Sequence, residues 1–439
     1  MPMQKLLIGI FIATACTLQA DTIEDLQALK SGMMHSPKGC QQIADGYGWT
    51  IMHNPSPELM EKLLKPMQEI SNVLRGSSEC QADFVKNNGI TKFRKLLREN
   101  LNSNDSGCEA LSALFLAGID DKDSIPQIAR LLDIDRSQEK TSSNNTNIHR
   151  AAAAVSLAML NAAGPYEAKI AAMLKGPSDY DVRGAIQAIQ IMNWRKYVPE
   201  LGQMLSLPEA TPGNHHKKKH KKAKAVDQKA RENAIAKANW AIQALGSMKA
   251  KEYSSKITPF LKLSEVNYKN HVVIALAEME AVDSADALAE FYRDPKQFDI
   301  MAKNEIPIIL ALFKAQNHKD IIIDALKNGQ DKNQAIAVLA LLGDERDVPT
   351  LEKALENPET GIGAAVGLMY LERKEYYNKI YDVLTPYLAK KDFSRVNKKD
   401  LTPFFRLRFG LTTENISQLD SAAAKVNRVW REIVASREK

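Results

Sequence analysis

The chain of 439 residues has little of what many folds and most enzyme sites are built from. Only 6% is aromatic, and four cysteines occur, too few for a small scaffold stapled by disulfides. Alternating β-branched runs joined by an Asn-Gly hairpin are absent, so strand signals are nearly missing. Past the first sixteen residues no apolar stretch approaches the roughly 20 residues that span a bilayer, which excludes a polytopic membrane protein. Gly-x-Ser-x-Gly, the P-loop, His-Glu-x-x-His, paired Cys-x-x-Cys and Cys-x-x-Cys-His are all missing. No cofactor is expected, and the acidic residues sit at helix starts and exposed faces, where dipole and solubility account for them.

What is present suits a folded chain with an ample core: 44% of residues are apolar and 26% charged. The net charge of +6 comes from one run. His215–Lys224 (HHKKKHKKAK) holds six lysines and no acid, and the remainder is formally neutral. A nucleic-acid-binding domain carries its charge as a stripe over the folded surface, so no nucleic-acid partner is expected.

The first twenty residues read as an export signal. Met1–Lys5 carries one positive charge, Leu6–Ala15 (LLIGIFIATA) is apolar and too short to span a membrane, and Cys16–Ala20 is a small-residue exit. Two cleavage readings stay open. One is removal of residues 1–20 after Ala20; the other is lipidation of Cys16, where Ala13-Thr14-Ala15-Cys16 forms a loose lipobox. Either way the expected location is periplasmic or extracellular. Cys40, Cys80 and Cys108 remain, with a Cys40–Cys80 disulfide and three inert thiols as alternatives.

The body of the chain alternates small-residue helical segments with shorter Leu/Ile-rich ones. The small-residue segments include Cys108–Ala117, His149–Ala163, Val182–Met192, Asn270–Met279 and Gln334–Leu342. The second segments repeat an apolar-Pro block: Ile125-Pro126…Leu132, Val198-Pro199…Leu205, Val348-Pro349…Leu355, and a degraded Thr258-Pro259…Leu263. Proline at a helix start loses nothing, because its N–H would have had no partner there, and Asp123, Ser124 and Asp347 stand where side-chain caps are expected. The last apolar residues of the second segments recur at 28–35 residues in most units, the longer intervals being explained by insertions at 137–147 and 206–228.

On Val182–Ile189 with Val198-Pro199…Leu205, and on Ala335–Leu342 with Asp347-Val348-Pro349…Leu355, the chain resembles short bacterial HEAT-like repeats, of the kind also seen in phycobilin lyases. The resemblance covers roughly Gly107–Leu388 and implies an all-α fold, an α-solenoid of about eight antiparallel helix pairs over residues 106–390. It transfers no active site. Residues 21–105 read as an N-terminal helical cap, and residues 391–439 as a C-terminal one, with Leu419, Ala422, Val426, Val429, Trp430 and Ile433 in an amphipathic stripe.

Pro208, Pro212 and Gly213 break helix, so the lysine run reads as a solvated loop. His215, His216, Lys217, Lys218, Lys219, His220, Lys221, Lys222 and Lys224 form a polyvalent cationic arm suited to anionic envelope polymers. His215, His216 and His220 are poor metal ligands among so many ammonium groups. The expected function is an exported, non-catalytic scaffold binding a protein or peptide. The mixed-sign positions Gln127, Arg130, Glu200, Gln203, Lys262, Glu352 and Lys353 on the second helices point to a polar partner. The alternative, from the lyase likeness, is an enzyme or small-molecule binder holding its ligand in a groove.

Overall fold

A computed structural model describes residues 73, 77–136, 147–206, 221–263, 269–296, 299–328, 332–388 and 416–437. The segment read as an export signal, Cys16, Cys40 and His215–His220 lie outside the described residues. Among the described residues there are nineteen α-helices and no strand. The chain divides into two units, Met1–Tyr197 and Val198–Lys439. The first holds α1 (Ser78–Lys86), α2 (Gly89–Asn100), α3 (Ser106–Gly118), α4 (Ile125–Arg130), α5 (Ile148–Met159), α6 (Glu167–Ala172) and α7 (Asp179–Ile191). The second holds α8 (Val198–Gln203), α9 (Lys221–Ser247), α10 (Ser254–Ile257), α11 (Lys269–Glu278), α12 (Ala285–Arg293), α13 (Ile300–Leu312), α14 (Lys319–Asn328), α15 (Lys332–Leu342), α16 (Val348–Leu355), α17 (Gly361–Tyr370), α18 (Tyr377–Leu388) and α19 (Ser417–Arg437).

Side-chain caps start several of the longer helices. Asp105 accepts from Cys108 N at 2.7 Å ahead of α3, and Asp299 accepts from Ala302 N at 3.0 Å ahead of α13. Their ends are more uniform still. After α3, α5, α7, α9, α11, α13, α15 and α17 the chain places one residue in the left-handed region: Asp120, Asn161, Asn193, Lys249, Glu280, Lys314, Gly343 and Glu372. A short 3-10 turn follows each time, from Lys122–Ser124 to Lys374–Tyr376, and the second helix begins. In seven of the eight turns the N–H after the left-handed residue donates back across the helix end. Asp121 bonds the carbonyl of Leu116, Ala162 that of Leu157, Ala281 that of Leu276 and Arg373 that of Leu368, all within 2.8–3.0 Å. Such a turn satisfies carbonyls that a helix end leaves without partners and reverses the chain in a fixed direction.

Consecutive first helices then lie side by side. In the first unit α3, α5 and α7 are neighbours in order, and in the second α9, α11, α13, α15 and α17 are. Small residues permit the approach. A Cβ at Gly184 would stand 2.5 Å from the Ala151 Cα, and one at Gly246 would stand 2.6 Å from the Ala275 Cα. At Gly363 it would overlap the Asn333 carbonyl oxygen. Ala151, Ala152, Ala153, Ala154 and Val155 on α5 are all fully buried, as expected of a helix covered on both sides. The helix is therefore apolar nearly all round, and the short second helices supply the outer, amphipathic layer.

Three expectations need correction. Ser124 and Asp347 do not cap α4 and α16 with their side chains. Ser124 Oγ donates to the Asp121 carbonyl at 2.7 Å, and Asp347 receives Lys319 at 2.6 Å, because the preceding 3-10 turn already meets the backbone there. The insertion expected at 206–228 is shorter, since α9 begins at Lys221; Lys, Ala and Gln are good helix formers, and no Gly or Pro follows Gly213 until the helix is under way. Beside the segment expected as the other insertion, Asn147 Oδ1 accepts from Arg136 N at 2.9 Å and Asn147 Nδ2 donates to Asp135 at 3.1 Å.

The amphipathic stripe of the last helix is buried as read. Leu419, Ala422, Val426, Val429, Trp430 and Ile433 are each at most 5% exposed, and α19 packs on α17 and α18.

The turn chemistry predicts opposite signs for two substitutions. Gly343→Ala, at φ +84°, costs about 1 kcal/mol, whereas Asn161→Gly, exposed at φ +53°, gains about 0.5–1 kcal/mol. Gly363→Ala costs about 1–3 kcal/mol through overpacking. Urea unfolding of the three variants checks all of this.

Candidate functional site

The residues singled out by sequence do not assemble into one site. Lys221, Lys222 and Lys224 fall in the first turn of α9, while Lys217–Lys219 lie outside the described residues with the three histidines. Cys80 is exposed and Cys108 buried, and neither is bridged to another described cysteine. Among the described residues no group of three His, Cys, Asp or Glu side chains is placed to hold a metal ion.

The mixed charge of the second helices has an internal reason. Charged side chains on one pair meet the next: Lys169 reaches Asp133 at 2.5 Å, Lys196 reaches Glu167 at 2.5 Å, Lys262 reaches Glu290 at 2.8 Å and Arg293 reaches Asp320 at 2.8 Å. Lys379 continues the series to Glu356 at 3.3 Å. Arg130 bonds Asn102 at 2.5 Å. Exposed pairs of this kind contribute little stability each, and of the positions read from sequence they engage Lys262 and Arg130.

A denser set of contacts gathers at the turns of the second unit. Lys314, a left-handed turn residue, donates to the Leu341 carbonyl and to the Tyr370 hydroxyl at 3.0 Å, two pairs further on. Its ammonium and that of Lys425 on α19 lie 5.1 Å and 4.8 Å from the Tyr370 ring centre. Glu372 receives Lys425 at 3.3 Å and Arg428 at 2.8 Å, which hold its carboxyl below the usual range. Ser417, at the start of α19, donates to Glu280 and accepts from Lys249 at 3.1 Å. Trp430 stacks on Tyr381 with ring centres 6.1 Å apart, and Arg437 pairs with Asp382 at 3.3 Å. Lys249, Glu280 and Glu372 are all left-handed turn residues. The last helix therefore runs along the row of turns, beyond the end-on contact of a simple cap.

Two buried polar groupings are the nearest thing to catalytic furniture. In the first unit His149 is fully buried. Its Nε2 lies 2.9 Å from the Ile134 carbonyl, so Nε2 carries the hydrogen, and Nδ1 accepts from Ser106 Oγ at 3.2 Å. Burial drives its pKa down to about 4, leaving the ring neutral. Arg136 bonds Ser106 at 2.9 Å and closes a buried two-point pair with Glu109 at 2.7 and 3.0 Å. These residues lie up to 43 apart in sequence, which hid the cluster, and burial of His149 and Arg136 makes it a seal beside the insertion. In the second unit Glu305 on α13 is 8% exposed, and its Oε2 has no hydrogen-bond partner. Burial, with Asp299 nearby, raises its pKa to about 8. Asp181, whose carboxylate meets Arg150 at 3.2 Å, is likewise raised, to about 6, chiefly by burial.

One cavity of about 280 Å³ lies between the α16–α17 connection and α18, lined by Leu355, Pro358, Ile362, Val383, Pro386 and Tyr387. It sits just below the range of ligand pockets, about 300–1,000 Å³, and none of the buried titratable groups above lines it. No family model matches the chain, and none of the curated proteins is significantly similar to it.

The titrations have checkable signs. Glu305 holds its proton more tightly folded than unfolded, so the stability tied to it is full below about pH 4.5 and is lost as pH rises towards 8. Glu305→Gln accordingly stabilises little at pH 5 and by about 2–4 kcal/mol at pH 8, read from urea midpoints at both pH values. For His149 the sign is reversed: its contribution is present above about 6.5 and lost as pH falls through 4. An NMR titration should find that imidazole unprotonated at pH 6.

Proposed function

We propose that the helix pairs form an α-solenoid of HEAT-like repeats and that the chain is an exported, non-catalytic scaffold for a protein or peptide partner. The observation that carries the reading is the eightfold recurrence of one left-handed turn between a buried first helix and an amphipathic second helix. A unit of that kind buries its apolar face only against the next copy, and such stacks present long surfaces rather than single pockets. The Met1–Ala20 pattern supports export, with lipidation at Cys16 as its second form. The basic run His215–Lys224 adds attraction to anionic envelope material, screened over about 8 Å at physiological salt.

Affinity capture from an envelope fraction, with the intact mass of the recovered chain, tests both halves. The reading expects a saturable protein partner and a mass that lacks residues 1–20 or carries lipid on Cys16. An unprocessed chain recovered from the cytosol with no saturable partner contradicts it. Deleting Asn214–Lys224 should abolish only the salt-sensitive part of envelope retention.

A further inference from the structure

The row of turns in the second unit is already covered by a helix of the same chain, and that helix shows what the surface accepts. From Ser417 to Arg428 the backbone of α19 advances about 17 Å at 1.5 Å per residue. Over that length it reaches from Glu280 to Glu372, turns that stand three helix pairs apart. Helix axes packed at 8–10 Å would separate those pairs by about 24–30 Å. The long side chains of Arg428 and Glu372 cover the difference, as those of Lys314 and Tyr370 do across two pairs. The turns of these pairs thus share one face, and α19 lies along it.

What joins α19 to this surface is divided into a narrow apolar stripe and a set of exposed ion pairs. Trp430 is its one large aromatic, set on Tyr381. Lys425, Arg428 and Arg437 meet Glu372 and Asp382, and every one of these five side chains is more than a third exposed, so their attraction is screened by salt. Twenty-eight residues separate Leu388 from Ser417 in the sequence.

We propose that the turn row of the second unit is a docking groove for an amphipathic helix, and that α19 is its resident, competing occupant. The partner helix presents Leu, Val or Ala at helical spacing, one Trp or other aromatic at the Trp430 position, and Lys or Arg towards Glu372 and Asp382. This deepens the scaffold reading, on which it rests, by fixing where and with what chemistry a partner binds. A covalently linked occupant competes at an effective concentration on the order of millimolar. A free helix therefore enters well only when the resident is weakened.

The test uses the full chain and a fluorescent peptide with the sequence of residues 417–437. Wild-type protein should bind it weakly. Lys425→Glu with Arg428→Glu, exposed changes confined to α19, should strengthen peptide binding at least tenfold by anisotropy while circular dichroism stays helical. Adding Glu372→Arg on the groove should reverse that gain and favour a peptide carrying the same two glutamates. Equal binding by wild type and the double variant, or peptide binding indifferent to Glu372→Arg, overturns the proposal. Failure to capture any partner from an envelope fraction would count against the scaffold reading and leave this peptide competition standing.

Discussion

A helix that must stop and reverse within a few residues leaves carbonyls bare and a direction undetermined. This chain meets both demands with one device, a single residue in the left-handed region followed by a backward N–H bond and a 3-10 turn. The device recurs at the end of each first helix, and within each unit consecutive first helices are neighbours. The close passage of Gly184 over Ala151 and of Gly246 over Ala275 follows from that regularity, since a small residue is needed wherever two first helices meet.

Packing of neighbouring helices also organises the surfaces. On the side of the second helices, Lys169, Lys196, Lys262 and Arg293 each meet an acidic residue of a neighbouring pair. On the side of the turns, long polar side chains sit at left-handed positions, clear of both helices, and in the second unit they converge on α19. The non-glycine turn residues thus do two jobs: they accept backbone strain, and Lys249, Glu280, Lys314 and Glu372 use their side chains to tie distant pairs together. Glycine at those positions would relax the backbone and lose the tie.

The helix pairs were legible in the sequence because their signals are local: Ala and Gly clustered in one helix, the apolar-Pro block opening the next. Helix extents such as Lys332–Leu342 and Lys269–Glu278 lie within a few residues of those read from composition. The turn device was not read, because glycine occupies it only at position 343; elsewhere Asp, Asn, Lys and Glu hide it. A signal was nevertheless present, an apolar residue followed by a polar one and then Ala, in Met248-Lys249-Ala250, Met279-Glu280-Ala281 and Phe313-Lys314-Ala315. The buried cluster of Ser106, Glu109, Arg136 and His149 was invisible for a different reason, since it is assembled across an insertion and two helix pairs. The C-terminal stripe was legible as apolar, but the surface that buries it is built from turns far apart in sequence, at Lys249, Glu280 and Glu372.

Amide hydrogen exchange followed by mass spectrometry distinguishes helix pairs that open together from pairs that open one by one. If the repeated turns and the close first helices hold the second unit together, peptides spanning α9 to α17 should exchange as one slow, cooperative block. Protection should include the turn amides of Ala250, Ala281 and Ala315, which a surface loop would leave open. Rapid exchange at those three amides, or pairs that open independently of their neighbours, would contradict the account.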